Sequence, residues 1–249
     1  MPEEPPQPKV PQTLQEFEGS EEIVNPPCDD KILDIPCQKW PATGKNCLVI
    51  FPTKNEDKVQ AFKANFENRK PDDINACFFL RIAVPDDGCS QPCNGQGYVR
   101  ARSRILKAME IFRTRKDYET YLEDNGIGQI IVATIESFFV TDGVPRPVDA
   151  AVVGMFNVLT GKTVTETSKG VTLNKWFLEE AKKSGGLVDG NQDCLCMTAG
   201  EIVAREFPGV NKADWHKFAV GISRGQILKE TASGMKIPWG GYGTSRDEC

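Results

Sequence analysis

The chain predicts an α/β domain on one sheet, preceded by an irregular proline-rich segment. Three observations carry this expectation. Short apolar runs near 47–52, 77–84 and 129–140 have the length and the aromatic and β-branched content of buried strands. The stretches after the first two return to a helical spacing of apolar residues. Residues 1–46 hold nine of the 17 prolines, with nine acidic against four basic residues. Apart from a short acidic stretch around Leu14–Phe17, that segment lacks periodicity and cannot bury enough apolar surface to fold alone. A tail over 1–46 and a domain over 47–249 are therefore expected.

The domain opens with CLVIFP from Cys47, a buried strand. Asn55 reads as the N-cap of a helix over 56–68, with Val59, Phe62 and Phe66 on one face. CFFLRIAV at 77–84 is the next strand. After the loop PDDGCSQPCNGQG a helix over 98–114 buries Tyr98, Ile105, Met109 and Phe112. KDYETYLED extends it or forms a second short helix, and Asn125, Gly126 and Gly128 end that segment. QIIVATIESFFV at 129–140 is the most strand-like run. Residues 149–167 read as a hairpin turning at Thr160, Gly161 and Lys162. A helix over 174–184 ends on Lys182, Lys183 and a glycine pair, as helix C-termini prefer. Thr198 and Glu201 form a capping box that opens a helix over 199–207, broken by Pro208 and Gly209. In the last helical region, 212–232, Asn211 is the expected N-cap with Asp214 at N3. Trp215, Phe218, Ala219 and Ile222 share one face, and Gly221 is a left-handed stop. Ser223 and Gln226 then read as another capping box, ahead of buried Ile227 and Leu228.

The formal net charge of −5 argues against a nucleic-acid or anionic-membrane surface as the main partner. No apolar run approaches the roughly 20 residues that span a bilayer. The acidic, proline-rich start lacks the form of a secretory signal, and Cys249 lacks prenylation spacing, so a cytoplasmic location is expected. Reduced thiols are then expected for the nine cysteines. Cys47 and Cys77 lie inside apparent strands, as small hydrophobes. Cys89, Cys93, Cys194 and Cys196 offer four thiolates for zinc, though not at ribbon or finger spacings.

Thr53, Asn55 and Lys58 stand at the first strand–helix crossover, where open α/β sheets bind ligands. A hydroxyl, free helix N–H groups and a lysine suit a phosphate; a capped surface helix with a solvated lysine is the plainer reading. Glu136, late in a strand, suits a Mg²⁺ ligand beside such a phosphate, or simply a sheet rim. Arg224, at a helix start beside Ser223, is a natural anion seat and equally a way to join two packed helices. His216, the single histidine, reads as a packed helix residue. Arg100, Arg102, Arg104 and Lys107 read as a solvated basic face or a docking strip for an acidic partner.

Asn211, Asp214, Trp215, His216, Ser223, Arg224 and Gln226 together resemble the C-terminal region of the proline-rich and coiled-coil-containing protein family. That family shares its domain with the inosine/xanthosine triphosphatases, the non-canonical purine nucleotide phosphatases. Thr53, Asn55 and Lys58 are similar to the phosphatases' first loop. The strand ending in Glu136 is similar to theirs, and so is Gln91-Pro92 before an arginine- and alanine-bearing helix. The resemblance spans about residues 47–235. It implies a three-layer inosine triphosphatase-like domain around a mixed sheet, with ligand contacts from Thr53, Asn55, Lys58, Glu136, Ser223 and Arg224. Two departures stand out. The phosphatases' acidic pair is replaced by Gly95, Gln96 and Gly97, leaving Asp149 and Glu166 as the carboxylates available to substitute. Ser137, Phe138 and Phe139 follow Glu136 where a glycine-containing turn is expected, bulk that opposes close approach of a polyphosphate.

Two functions follow from the resemblance. One is a non-catalytic scaffold or adaptor whose tail docks into a larger assembly and which needs no cofactor. For it the resemblance implies the regulatory subunit of cyclic-AMP-dependent protein kinase as partner, dimerisation, and association with secretory-pathway membranes or the cytoskeleton. The other is a Mg²⁺-dependent phosphatase of inosine or xanthosine triphosphate.

Overall fold

The computed structural model describes residues 21–27, 33, 35–36, 38–85, 90–185 and 194–240. Its strands are β1 (Ile23–Val24), β2 (Asn46–Phe51), β3 (Cys77–Arg81), β4 (Gln91–Pro92), β5 (Ile127–Val140), β6 (Val148–Asn157), β7 (Thr163–Thr167), β8 (Gly170–Thr172) and β9 (Cys194–Leu195). Its helices are α1 (Glu56–Asn68), α2 (Gln96–Arg113), α3 (Tyr118–Asp124), α4 (Lys175–Gly185), α5 (Ala199–Glu206), α6 (Trp215–Val220) and α7 (Arg224–Gly234). The main sheet runs β1-β8-β6-β5-β2-β3, with β7 pairing β6 beside that path. β2 lies parallel to β3 and β5, whereas β6 is antiparallel to β5, β7 and β8, so the sheet is mixed.

Alternation along the strands makes two cores. Leu48 and Ile50 of β2, with Ile130 and Val132 of β5, face the α2 side, where Ile105, Met109 and Phe112 are buried. Cys47, Val49 and Phe51, with Ile131 and Ala133, face α1 and α7, against Phe62, Phe66 and Leu228. Side chains on a strand alternate between faces, so apolar residues at consecutive positions demand cover on both sides, and the helices supply it. The buried Asn65 amide donates to the Ala232 carbonyl at 2.6 Å and ties α1 to α7. A third cluster packs α4, α5 and α6 around Phe177, Ile202 and Trp215.

β2 ends at Phe51, while β5 continues to Val140 and past residue 132 no longer pairs with β2. β5 therefore overhangs the carboxyl end of β2, and the chain leaving β2 enters α1 beside the overhang. A crevice beyond the strand ends is the natural result.

Most expected elements appear within a few residues of their positions, and Gly221 is left-handed, with φ of 73°. α3 forms as a separate short helix. β1, β4 and β9 have no strand pattern in the sequence, being two residues each, fixed by pairing partners far along the chain. The segment expected as a tail behaves differently where it is described. Ile23 and Val24 pair with Val171 and Gly170, Leu33 and Ile35 are buried, and Trp40 stacks on Phe112 at 5.6 Å. Burying a large apolar side chain contributes roughly 1.5–3 kcal/mol, so scattered anchors hold a segment that has no periodicity. Much of the described part of 21–46 is thus laid on its own domain. Residues 1–20 lie outside the described residues.

The cysteine expectation is corrected too. Cys194 is disulfide-bonded rather than reduced, which withdraws it from a four-thiolate zinc site. Cys89, also in that set, lies outside the described residues. Cys47, Cys77 and Cys196 carry free thiols.

Candidate functional site

Glu136 sits in the β5 overhang, on the strand face turned to α2. Arg100 and Arg104 lie one helical turn apart on α2 and so project to the same side. Arg100 Nε stands 3.0 Å from Glu136 Oε1, and Arg104 Nε stands 2.8 Å from Oε2. Lys58 Nζ approaches the same carboxylate to 4.0 Å and donates to the Ile135 carbonyl at 2.6 Å. The backbone turn sets Lys58 in place. Thr53 Oγ1 accepts from Asn55 N–H at 3.0 Å, and Asn55 Oδ1 caps α1 by accepting from Lys58 N–H at 3.2 Å. Burial lowers the Lys58 pKa to about 8. The Glu136 charge opposes that shift, and the cations of Arg224, Arg104 and Arg100 reinforce it.

The other wall of the crevice is the start of α7. Ser223 Oγ accepts from Gln226 N–H at 3.1 Å, while the Gln226 amide turns to Glu230 at 3.2 Å, so only half of the expected capping box forms. The Asp214 carboxylate accepts from Arg224 N–H at 2.6 Å. Asp214 was expected as an N3 acid of its own helix, but α6 begins one residue later and the side chain instead caps the next helix. Asn211 Oδ1 accepts from Ala213 N–H in the preceding turn.

Asn55, Lys58, Glu136, Ser223 and Arg224 border one cleft of about 590 Å³, together with Arg100 and Arg104. Thr53 does not reach it. It borders an adjoining groove of about 530 Å³ that shares Asn55 and Arg104, because its hydroxyl is turned back to the Asn55 amide.

Other expectations are corrected here. The basic segment of α2 is not simply a solvated face or a docking strip: Arg100 and Arg104 turn inward to Glu136, with side chains 7% and 20% exposed. Phe138 and Phe139 do not obstruct the cleft. They alternate into separate cores and are 3% and 0% exposed. Gly97, where an acidic residue was sought, opens α2 directly over Phe138; an added Cβ would lie 2.6 Å from the Phe138 Cγ. Glu166 borders a separate depression with Lys169 and Glu230. Asp149 does border the main cleft, and its Oδ2 lies 3.2 Å from Nε2 of the buried His216.

Asp149, offered from the sequence as a substitute carboxylate, does border the cleft, whereas Arg100, Arg104 and Gln91 line it without having been expected there. The i, i+4 spacing of the two arginines on a face that also carries Ala101, Ile105 and Ala108 was the available signal. Gln91 is 3% exposed, and its Nε2 has no hydrogen-bond partner.

A Mg²⁺ ion takes near-octahedral oxygen ligands at about 2.0–2.1 Å. Glu136 offers both oxygens, but two guanidinium groups and an ammonium already surround them and would repel a dication. Among the described residues no group of three or more His, Cys, Asp or Glu side chains is disposed to hold a metal. The residues present do not fit the ion.

No family model and no curated protein matches the chain. A solved structure similar to it, protein VC0702 from Vibrio cholerae, is 14% identical, covering 76% of this chain and 92% of that one, with a TM-score of 0.48.

Proposed function

We propose that this chain is a non-catalytic member of the inosine triphosphatase-like fold, a scaffold or adaptor domain that binds rather than hydrolyses. One observation carries the reading: Glu136, the carboxylate expected to hold the metal, is clamped by Arg100, Arg104 and Lys58. Hydrolysis of a triphosphate depends on positioning and on neutralising developing charge, with carboxylates to hold a metal and orient water. Loss of one such electrostatic group typically costs about 10²–10³ in rate. Here the acidic pair is absent and the remaining carboxylate faces cations. The Mg²⁺-dependent phosphatase keeps one supporting feature, the Asp149 Oδ1 that borders the cleft without a hydrogen-bond partner. Its other oxygen faces His216.

The test is release of phosphate from inosine and xanthosine triphosphate in MgCl₂ by the full chain. No turnover is expected. Turnover of about 1 s⁻¹ or more, in the range of ordinary enzymes and abolished by Glu136→Gln, would install the phosphatase instead. For the adaptor role, the regulatory subunit of cyclic-AMP-dependent protein kinase is the partner to try first. Size-exclusion chromatography with light scattering would show whether the chain forms the dimer that the resemblance implies. Imaging in cells would test the proposed cytoplasmic, cytoskeleton-associated location.

A further inference from the structure

The cleft carries more cations than its carboxylate needs. Lys58, Arg100 and Arg104 gather around Glu136, and Arg224 borders the same cleft, its charge felt at Lys58. The other acidic side chains on the cleft are engaged locally or lie toward solvent. Asp214 accepts from Arg224 N–H, Asp149 turns Oδ2 to His216 and keeps only Oδ1 without a partner, Glu201 closes the capping box with Thr198, and Asp57 is exposed in the first turn of α1. Among the described residues no carboxylate pairs with the Arg224 guanidinium. Arg104 uses Nε on Glu136, which leaves its terminal nitrogens available. The Gln91 amide, almost fully buried, lines the same cleft with its donor unused. Unmade hydrogen bonds on a buried amide are costly, and such a group in a basic cleft points to an acceptor-rich ligand. Gly225, next to Arg224, leaves open space where a Cβ would stand, with Ser223 Oγ at 3.9 Å the nearest atom.

We infer that this cleft binds a phosphate-type oxyanion without a divalent cation. Lys58, Arg104 and Arg224 supply the charge, and the Gln91 amide serves as a neutral donor. This rests on the non-catalytic reading of the same site and deepens it: the arginines occupy the electrostatic place of the metal. Arginine and lysine around an oxyanion make charge-assisted hydrogen bonds, the strong class. A volume of about 590 Å³ exceeds what a bare phosphate fills and leaves room for an organic group on the ester. Glu136 is then a competitor of the ligand for the same cations, the reverse of a metal ligand's role.

That reversal gives the test. The full chain is titrated calorimetrically with inorganic phosphate and with a nucleoside monophosphate, each in EDTA and in excess MgCl₂. Binding is expected in EDTA and is equal or weaker in MgCl₂. Glu136→Gln is expected to tighten it about 10-fold, and Arg104→Gln and Arg224→Gln each to weaken it about 10-fold, the size of one charged hydrogen bond. Tighter binding of the monophosphate identifies an organic ester as occupant; equal affinity identifies inorganic phosphate. Binding that needs Mg²⁺, binding lost in Glu136→Gln, or no binding of either probe in either buffer overturns the inference. Should circular dichroism show Glu136→Gln unfolded, the two arginine variants decide: wild-type affinity in both overturns it. Triphosphate turnover alongside metal-free binding would sink the non-catalytic reading alone. An inert chain that takes no anion in EDTA would sink this inference alone.

Discussion

Arg104 Nε lies 2.8 Å from Glu136 Oε2, and the arginine one turn earlier reaches the other oxygen of the same carboxylate. The clamp joins α2 to the overhanging part of β5, where no β2 backbone remains to pair. Removing charge from water is costly, and a buried pair repays that cost only while both partners are present. Glu136→Gln leaves Arg100, 7% exposed, opposite a neutral amide. A loss of roughly 2–4 kcal/mol is expected. It is placed toward the low end for a broken buried pair because Arg104 and Lys58 keep some contact with water. Urea denaturation of the variant measures it. A change within about 0.5 kcal/mol, the size seen for ordinary surface substitutions, would show that the clamp does not stabilise the fold.

Gly97 decides whether the missing acidic pair can be put back. Its Cα faces the Phe138 ring so closely that a Cβ would lie 2.6 Å from Cγ and 2.8 Å from the Phe138 Cβ. The contact is with the near end of an aromatic side chain that is 3% exposed and packed in the α2-side core. Gly97→Ala is expected to cost about 1–3 kcal/mol, the range for overpacking. Gly97→Asp should cost more and create no phosphatase activity. Thermal melts and the phosphate-release assay check both statements. An Asp variant as stable as the parent would mean that α2 shifts freely over Phe138.

Much of the fold was legible because its signals are local. β2, β3 and β5 are apolar runs of strand length, and the caps at Asn55, Thr198 and Ser223 lie within a few residues of the groups they satisfy. Five of the six candidate site residues border one cleft for a related reason: Asn55, Lys58, Ser223 and Arg224 stand at helix starts, and Glu136 lies on the part of β5 that overhangs the end of β2. What stayed hidden depends on long-range contacts. Nothing near Arg100 or Arg104 announces Glu136, more than thirty residues away, so the two arginines read as a solvated strip. Asp214 looked like an acid of its own helix because the Arg224 amide it caps is ten residues on. Trp40 sits in a segment with no periodicity, and its burial follows from stacking on Phe112 of a different element.

Asp214 can be tested by itself. Its bond to Arg224 N–H, at 2.6 Å, satisfies one of the amides that open α7, and the carboxylate complements the positive end of that helix. Asp214→Ala is expected to destabilise the chain by about 1 kcal/mol, as loss of a helix cap does. Asp214→Asn, which keeps an acceptor, should recover most of that. Denaturant midpoints compare the three proteins. Equal midpoints for Ala and Asn would mean that the hydrogen bond carries little of the effect.

Lys58 ties stability and anion binding to pH with opposite signs. Its pKa falls from an ordinary 10.5 to about 8, chiefly through burial. Glu136 on β5 resists the fall, while Arg100 and Arg104 on α2 and Arg224 on α7 add to it. Below about pH 8 the ammonium is charged in folded and unfolded chains alike, and the fold bears its full desolvation cost. Between about 8 and 10.5 the unfolded chain still holds a proton that the folded chain has released. Stability therefore rises with pH across that window and levels off above it. The side chain is 21% exposed, so the gain is set at roughly 1–3 kcal/mol, less than the whole shift would give. Lys58→Met should remove this rise. The variant is expected to be more stable than the parent at neutral pH, with the difference shrinking toward pH 10; subtracting the two curves cancels every other titrating lysine and tyrosine. Anion affinity should move the other way, falling as pH passes 8, because the neutral amine no longer contributes charge to the cleft. A bound anion favours the charged ammonium, so titration near pH 8 should also take up protons, visible as a dependence of the binding heat on buffer ionisation. Parallel stability curves for Lys58→Met and the parent from pH 7 to 10 would show that Lys58 titrates as an ordinary surface lysine.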